Sequence, residues 1–66
     1  MNIWLNGEMK AVAESLTIAE LLATAGLRER RVAVEVNREI VPRSRHDQFQ
    51  LSAGDRVEIV HAIGGG

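Results

Sequence analysis

Residues able to do chemistry are few in this 66-residue chain. It has no cysteine, which removes thiolate nucleophiles, thiolate metal sites and disulfides. Its two histidines, His46 and His61, lie far apart in sequence, and neither stands at metal-ligand spacing from a second such group. His46-Asp47 offers two groups of a hydrolytic triad, yet Ser44 and Ser52 lack the strand-turn-helix setting of an activated nucleophile, and so short a chain has no room for the pocket. The segment reads as solvated loop.

The remaining candidate is HAIGGG, in which Gly64, Gly65 and Gly66 follow Ile63 and close the sequence. Three extended glycines reach about 10 Å, and Ala62 to Gly66 about 17 Å, enough to carry a terminal carboxylate into another protein's active site. Without Cβ atoms such a peptide passes a narrow channel. With a pKa of roughly 3.3–3.7 the carboxylate is an anion at neutral pH, a poor electrophile until it gains a leaving group. No glycine loop followed by Lys is present to cradle a phosphate. The terminus therefore reads as a substrate of other enzymes, and the chain as no enzyme itself.

Composition sets the frame for that terminus. A hydrophobic fraction of 45% and a charged fraction of 26% are those of an ordinary globular chain. One domain, residues 1–66, is all this length supports, with 62–66 as a flexible tail. No apolar run approaches the roughly 20 residues of a membrane span, and MNIWLNGE has no secretory-signal character, so no membrane association and a cytoplasmic location are expected. A net charge of −1, with both signs interspersed, argues against nucleic acid as a partner. Arg28, Arg30 and Arg31 are expected to complement the C-terminal pole of a helix, and Arg43 and Arg45 to face water.

The elements that must hold the terminus follow from periodicity. Met1, Ile3 and Leu5 alternate before Asn6-Gly7, the pair best suited to a type I′ turn, so a hairpin opens the chain. Its return strand is expected over Glu8 to Ala13, with Met9, Ala11 and Ala13 competing with Val12 for the inward face. Thr17 and Glu20 form a capping-box pair, and Ile18, Leu21, Leu22 and Ala25 make one helical stripe that Gly26 stops. Val32, Val34 and Val36, then Val57 and Ile59, alternate as strands. Ile40-Val41-Pro42 reads as a short edge strand, Ser44 to Gln50 as a loop or single helical turn, and Ala53-Gly54-Asp55 as a turn. One helix on one sheet means an α+β roll, with the final strand central beside the first. Trp4 and Val60 take the outward parity on those two strands and are the candidate partner surface.

The pieces MNIWLNGE, SLTIAELLATAGL, VAVEVNREIVPRS and LSAGDRVEIVHAIGGG resemble the ThiS family, the sulfur carriers of thiamine biosynthesis. The resemblance implies a ubiquitin-like β-grasp fold: a mixed four- to five-stranded sheet packed on one main helix, with a flexible C-terminal glycine tail. It further implies that a ThiF-like adenylating enzyme uses ATP and Mg to activate the carboxylate of Gly66, and that a relay from a cysteine desulfurase converts it to a thiocarboxylate. A ThiG-like thiazole synthase then takes the sulfur. Gly65, Gly64 and Ile63 match the tail positions that thread the partner's active site, and no cofactor is bound by the carrier. Three other readings share the fold: the small subunit of molybdopterin synthase, a ubiquitin-like protein modifier, and a plain β-grasp binding module.

Overall fold

The structure is a computed structural model that describes residues 1–61. Strands β1 (Asn2–Leu5) and β2 (Glu8–Ala11) form the opening antiparallel hairpin, in register from Asn2 opposite Ala11 to Leu5 opposite Glu8. Asn6 (φ 50°) and Gly7 (φ 85°) supply the two positive angles that a type I′ turn requires. The return strand stops two residues short of the expected Ala13, because the ladder ends where Val12 N–H donates to Met1 O at 2.7 Å. That pairing settles the parity. Val12 packs against the core from the side of Met1 and Ile3, while Met9 faces outward beside Trp4.

Helix α1 (Ile18–Thr24) begins as the sequence dictates. Thr17 N–H donates to Glu20 Oε1 at 2.9 Å, and Glu20 N–H donates to Thr17 Oγ1 at 3.1 Å. Two further N–H groups of the first turn find partners in the loop after residue 45: Ile18 donates to Phe49 O and Ala19 to His46 O. The helix closes at Gly26 as expected, but the core stripe ends before Ala25. Ala25 is an exposed C-cap residue instead of a core one. Gly26 (φ 74°) turns left-handed, with Gly26 N–H bonding Ala23 O and Leu27 N–H bonding Leu22 O, the paired closure of a Schellman motif. Leu27 thereby packs on the core in place of Ala25. Because α1 stops at Thr24, its last turn holds no basic residue, and Arg28, Arg30 and Arg31 lie beyond it, exposed.

Strands β3 (Val32–Val36) and β4 (Glu39–Val41) make a second hairpin, followed by Pro42, a 3₁₀ turn over Arg43–Arg45, and β5 (Arg56–His61). The sheet order is β2-β1-β5-β3-β4. β5 runs parallel to β1 and antiparallel to β3, so the last strand occupies the centre of a mixed five-stranded sheet. β4 is an edge strand, as Pro42 at its end requires.

Alternation places Ile3, Val34, Val36, Val41 and Val57 on the face that meets Ile18, Leu21 and Leu22 of α1, and Leu51 completes the buried core. His46 departs from the solvated-loop expectation. It is 5% exposed, and its Nε2 donates to Val41 O at 2.9 Å, tying the loop to the edge strand β4. Asp47 beside it is exposed.

Candidate functional site

The expected attachment point Gly66 and the expected threading residues Gly65, Gly64 and Ile63 lie outside the described residues. What is described is the base they leave from. β5 has neighbours on both sides for its first half: Trp4 and Leu5 pair with Arg56 and Val57, and Val36 pairs with Val57. On the β3 side the ladder continues to Val32 opposite His61.

Two turn asparagines add side-chain bonds to this central strand. Asn37, in the β3–β4 turn, accepts from Arg56 N–H at 3.0 Å through Oδ1 and donates to Asp55 Oδ1 at 3.1 Å through Nδ2. Asp55 Oδ2 in turn accepts from Ser52 N–H at 2.8 Å, closing the turn that opens β5. Asn6, in the β1–β2 turn, accepts from Ile59 N–H at 2.8 Å. Both asparagines sit at positive φ, a conformation their short polar side chains tolerate.

Trp4 and Val60 are exposed, at 39% and 53%, on the sheet face opposite α1. The two do not adjoin. Trp4 lies in register with Arg56, and Val60 is four residues further along β5, about 13 Å away with Glu58 between. Trp4 instead lines a shallow groove of about 320 Å³ with Gly7, Arg38, Arg56, Val57 and Glu58. Met9, opposite Trp4, and Ile40, opposite Glu35, are also exposed on this face. Ile40 alternates with the inward Val41, and the pairing with Trp4 puts Met9, a contender for the inward face on sequence alone, on the outer one.

Glu20 is the one described group with a clear displacement of its titration. The backbone N–H of Thr17, then the Thr17 hydroxyl, hydrogen-bond its carboxylate and hold it below the ordinary carboxylate range. Among the described residues no group of three or more His, Asp or Glu is placed to hold a metal ion, and no helix is long and apolar enough to cross a membrane.

A small mixed sheet on one helix, with its last strand central, defines a β-grasp protein. Residues 3–66 match the ThiS family. The sulfur carrier protein ThiS of Bacillus subtilis is 41% identical over 94% of this chain and 96% of its own length. A crystal structure of the thiamine biosynthesis protein ThiS from Geobacter metallireducens superposes over the whole of both chains with a TM-score of 0.88 at 38% identity. A thiazole synthase from Paramagnetospirillum magneticum is 46% identical across this entire chain, which spans 20% of that protein's length. The chain belongs to the ThiS family.

Proposed function

We propose that this chain carries sulfur in thiamine biosynthesis, with the carboxylate of Gly66 as the attachment point. The observation that carries the reading is the central placement of β5, held between β1 and β3, five residues before Gly66. A rigid strand there gives the terminal peptide a fixed origin, which is what delivery to a partner's active site needs. The near full-length correspondence with a sulfur carrier protein ThiS supports thiamine over molybdopterin as the pathway.

In this reading a ThiF-like enzyme holds ATP and Mg. A carboxylate oxygen of Gly66 attacks the α-phosphorus, pyrophosphate leaves, and the acyl carbon now bears AMP as a leaving group. A hydrosulfide, or a persulfide charged by a cysteine desulfurase, attacks that carbon and expels AMP. Hydrosulfide gives the thiocarboxylate directly, whereas the persulfide route leaves an acyl disulfide that a second thiol cleaves, releasing the thiocarboxylate and a disulfide. The carrier supplies the acyl group and a docking face, and performs no catalysis. A ThiG-like thiazole synthase is the recipient. Support for that partner comes from the Paramagnetospirillum magneticum thiazole synthase, which contains a segment similar to the whole of this chain. Trp4 and Val60 belong to the docking face.

Appending one alanine after Gly66 tests the reading. The extended chain is expected to keep its melting temperature and to accept no sulfur from activating enzyme, ATP and sulfide. Sulfur uptake by the extended chain at the wild-type rate would overturn the proposal.

A further inference from the structure

The β1–β5 ladder ends abruptly, and Asn6 is the residue at its end. In that ladder Trp4 N–H donates to Asp55 O at 2.8 Å and Asn6 N–H donates to Val57 O at 2.9 Å. Residues 55, 57 and 59 therefore turn their backbone groups toward β1, because these groups alternate sides along a strand. In a continuing parallel ladder the next bond would run from Ile59 N–H to the backbone carbonyl of Asn6. The left-handed turn at Asn6 and Gly7 takes the chain away toward β2. The Asn6 side chain fills the gap: its Oδ1 accepts from Ile59 N–H at 2.8 Å.

We infer that Asn6 is a positioning residue for the terminal peptide, its carboxamide extending the hold on β5 by one step past the last paired residue of β1. The inference rests on the carrier reading above. Ile59 stands four residues before Ile63, and β5 from Glu58 to His61 has a strand neighbour on the β3 side, whereas the β1 side offers this side-chain bond. A central strand bonded on one side pivots about that side. The bond from Asn6 opposes the pivot and so fixes the direction in which the chain leaves toward Gly66.

Two variants separate this role from that of the turn. Asn6→Gly keeps the positive φ, which glycine adopts freely, and deletes the acceptor. Asn6→Asp keeps both the acceptor and tolerance of the left-handed conformation. In Asn6→Gly the Ile59 amide should exchange with solvent about three- to tenfold faster, the size expected for losing one exposed hydrogen bond, while Ile3 and Val34 amides keep their protection. With a ThiF-like enzyme, ATP and sulfide, Asn6→Gly should lower kcat for thiocarboxylate formation about three- to tenfold with KM unchanged, because docking persists and only placement of the acyl carbon suffers. Asn6→Asp should restore both readouts.

Unchanged Ile59 exchange in Asn6→Gly would overturn the inference, as would an effect confined to KM, which marks a docking contact. Failure of Asn6→Asp to rescue would overturn it too. A wild-type chain that takes up no sulfur overturns the carrier reading, and with it the functional half of the inference, while the exchange measurement still decides whether Asn6 holds β5.

Discussion

Thr17 and Glu20 show how far single residues can be read. A threonine three residues ahead of a glutamate, before an apolar stripe, implies reciprocal backbone bonds, and both are present. Their consequence is a pH dependence. Hydrogen bonding to Thr17 holds the folded pKa of Glu20 below its unfolded value, so the folded state binds fewer protons, and the stabilisation is present above the unfolded pKa of about 4.3 and lost as pH falls through the folded value. Melting temperature measured between neutral pH and pH of about 3 should therefore fall less steeply in Glu20→Gln than in wild type. Equal slopes would remove Glu20 as a source of acid sensitivity. His46 was illegible for the opposite reason. Nothing local marks a histidine in a polar loop as buried; its burial comes from packing under β4, a long-range consequence of the fold. His46→Ala should cost about 1–3 kcal/mol in denaturant unfolding, since Val41 O loses its donor.

At the level of elements, local chemistry decided what could be foreseen. Asn6-Gly7 announces its hairpin because both residues accept positive φ. The β3–β4 hairpin gave no such notice, since Arg38 occupies the second turn position at φ 70°, a conformation that costs a side-chain-bearing residue about 1–2 kcal/mol. Arg38→Gly should raise the melting temperature modestly: relief of that strain exceeds the extra entropy glycine loses on folding, about 0.5–1 kcal/mol. A lower melting temperature would mean that Arg38 contributes through contacts its position at positive φ does not suggest. The helix was legible at its start and in its stop at Gly26, but not in which residue its last turn sends to the core. The stripe through Ala25 fitted the 3.6-residue period, but the Schellman closure at Gly26 consumed that residue as a cap and delivered Leu27 to the core. Leu21, fully buried on α1, is where the helix is most exposed to mutation: Leu21→Ala should cost about 2–5 kcal/mol, a large share of the roughly 5 kcal/mol that a domain this small can possess.

For the molecule as a whole, the division of labour is between two faces of one sheet. The helix side holds the core, and the opposite side displays Trp4, Met9, Ile40 and Val60, the large exposed apolar residues among those described. Tryptophan is enriched among the few residues that carry most of an interface's binding energy. Trp4→Ala is expected to raise KM for the activating enzyme about tenfold while leaving the melting temperature near wild type; an unchanged KM would move the docking face elsewhere. The place of the final strand beside the first was legible, because a right-handed crossover returns the chain to the sheet there; the mixed pairing was implied by the family resemblance and is what the sheet shows. The outer face of the sheet was legible in part: parity put Trp4 and Val60 on it, but cross-strand register, which sets Met9 beside Trp4 and Glu58 between Trp4 and Val60, exists only in the folded sheet.

The central claim, that Gly66 carries sulfur, is tested most directly by intact-mass spectrometry of the chain after incubation with a ThiF-like enzyme, ATP and sulfide. The predicted result is a mass increase equal to the replacement of one oxygen by sulfur, confined on fragmentation to the C-terminal peptide and absent without ATP. An unchanged mass in the presence of active enzyme, or a modification on any other residue, would contradict it.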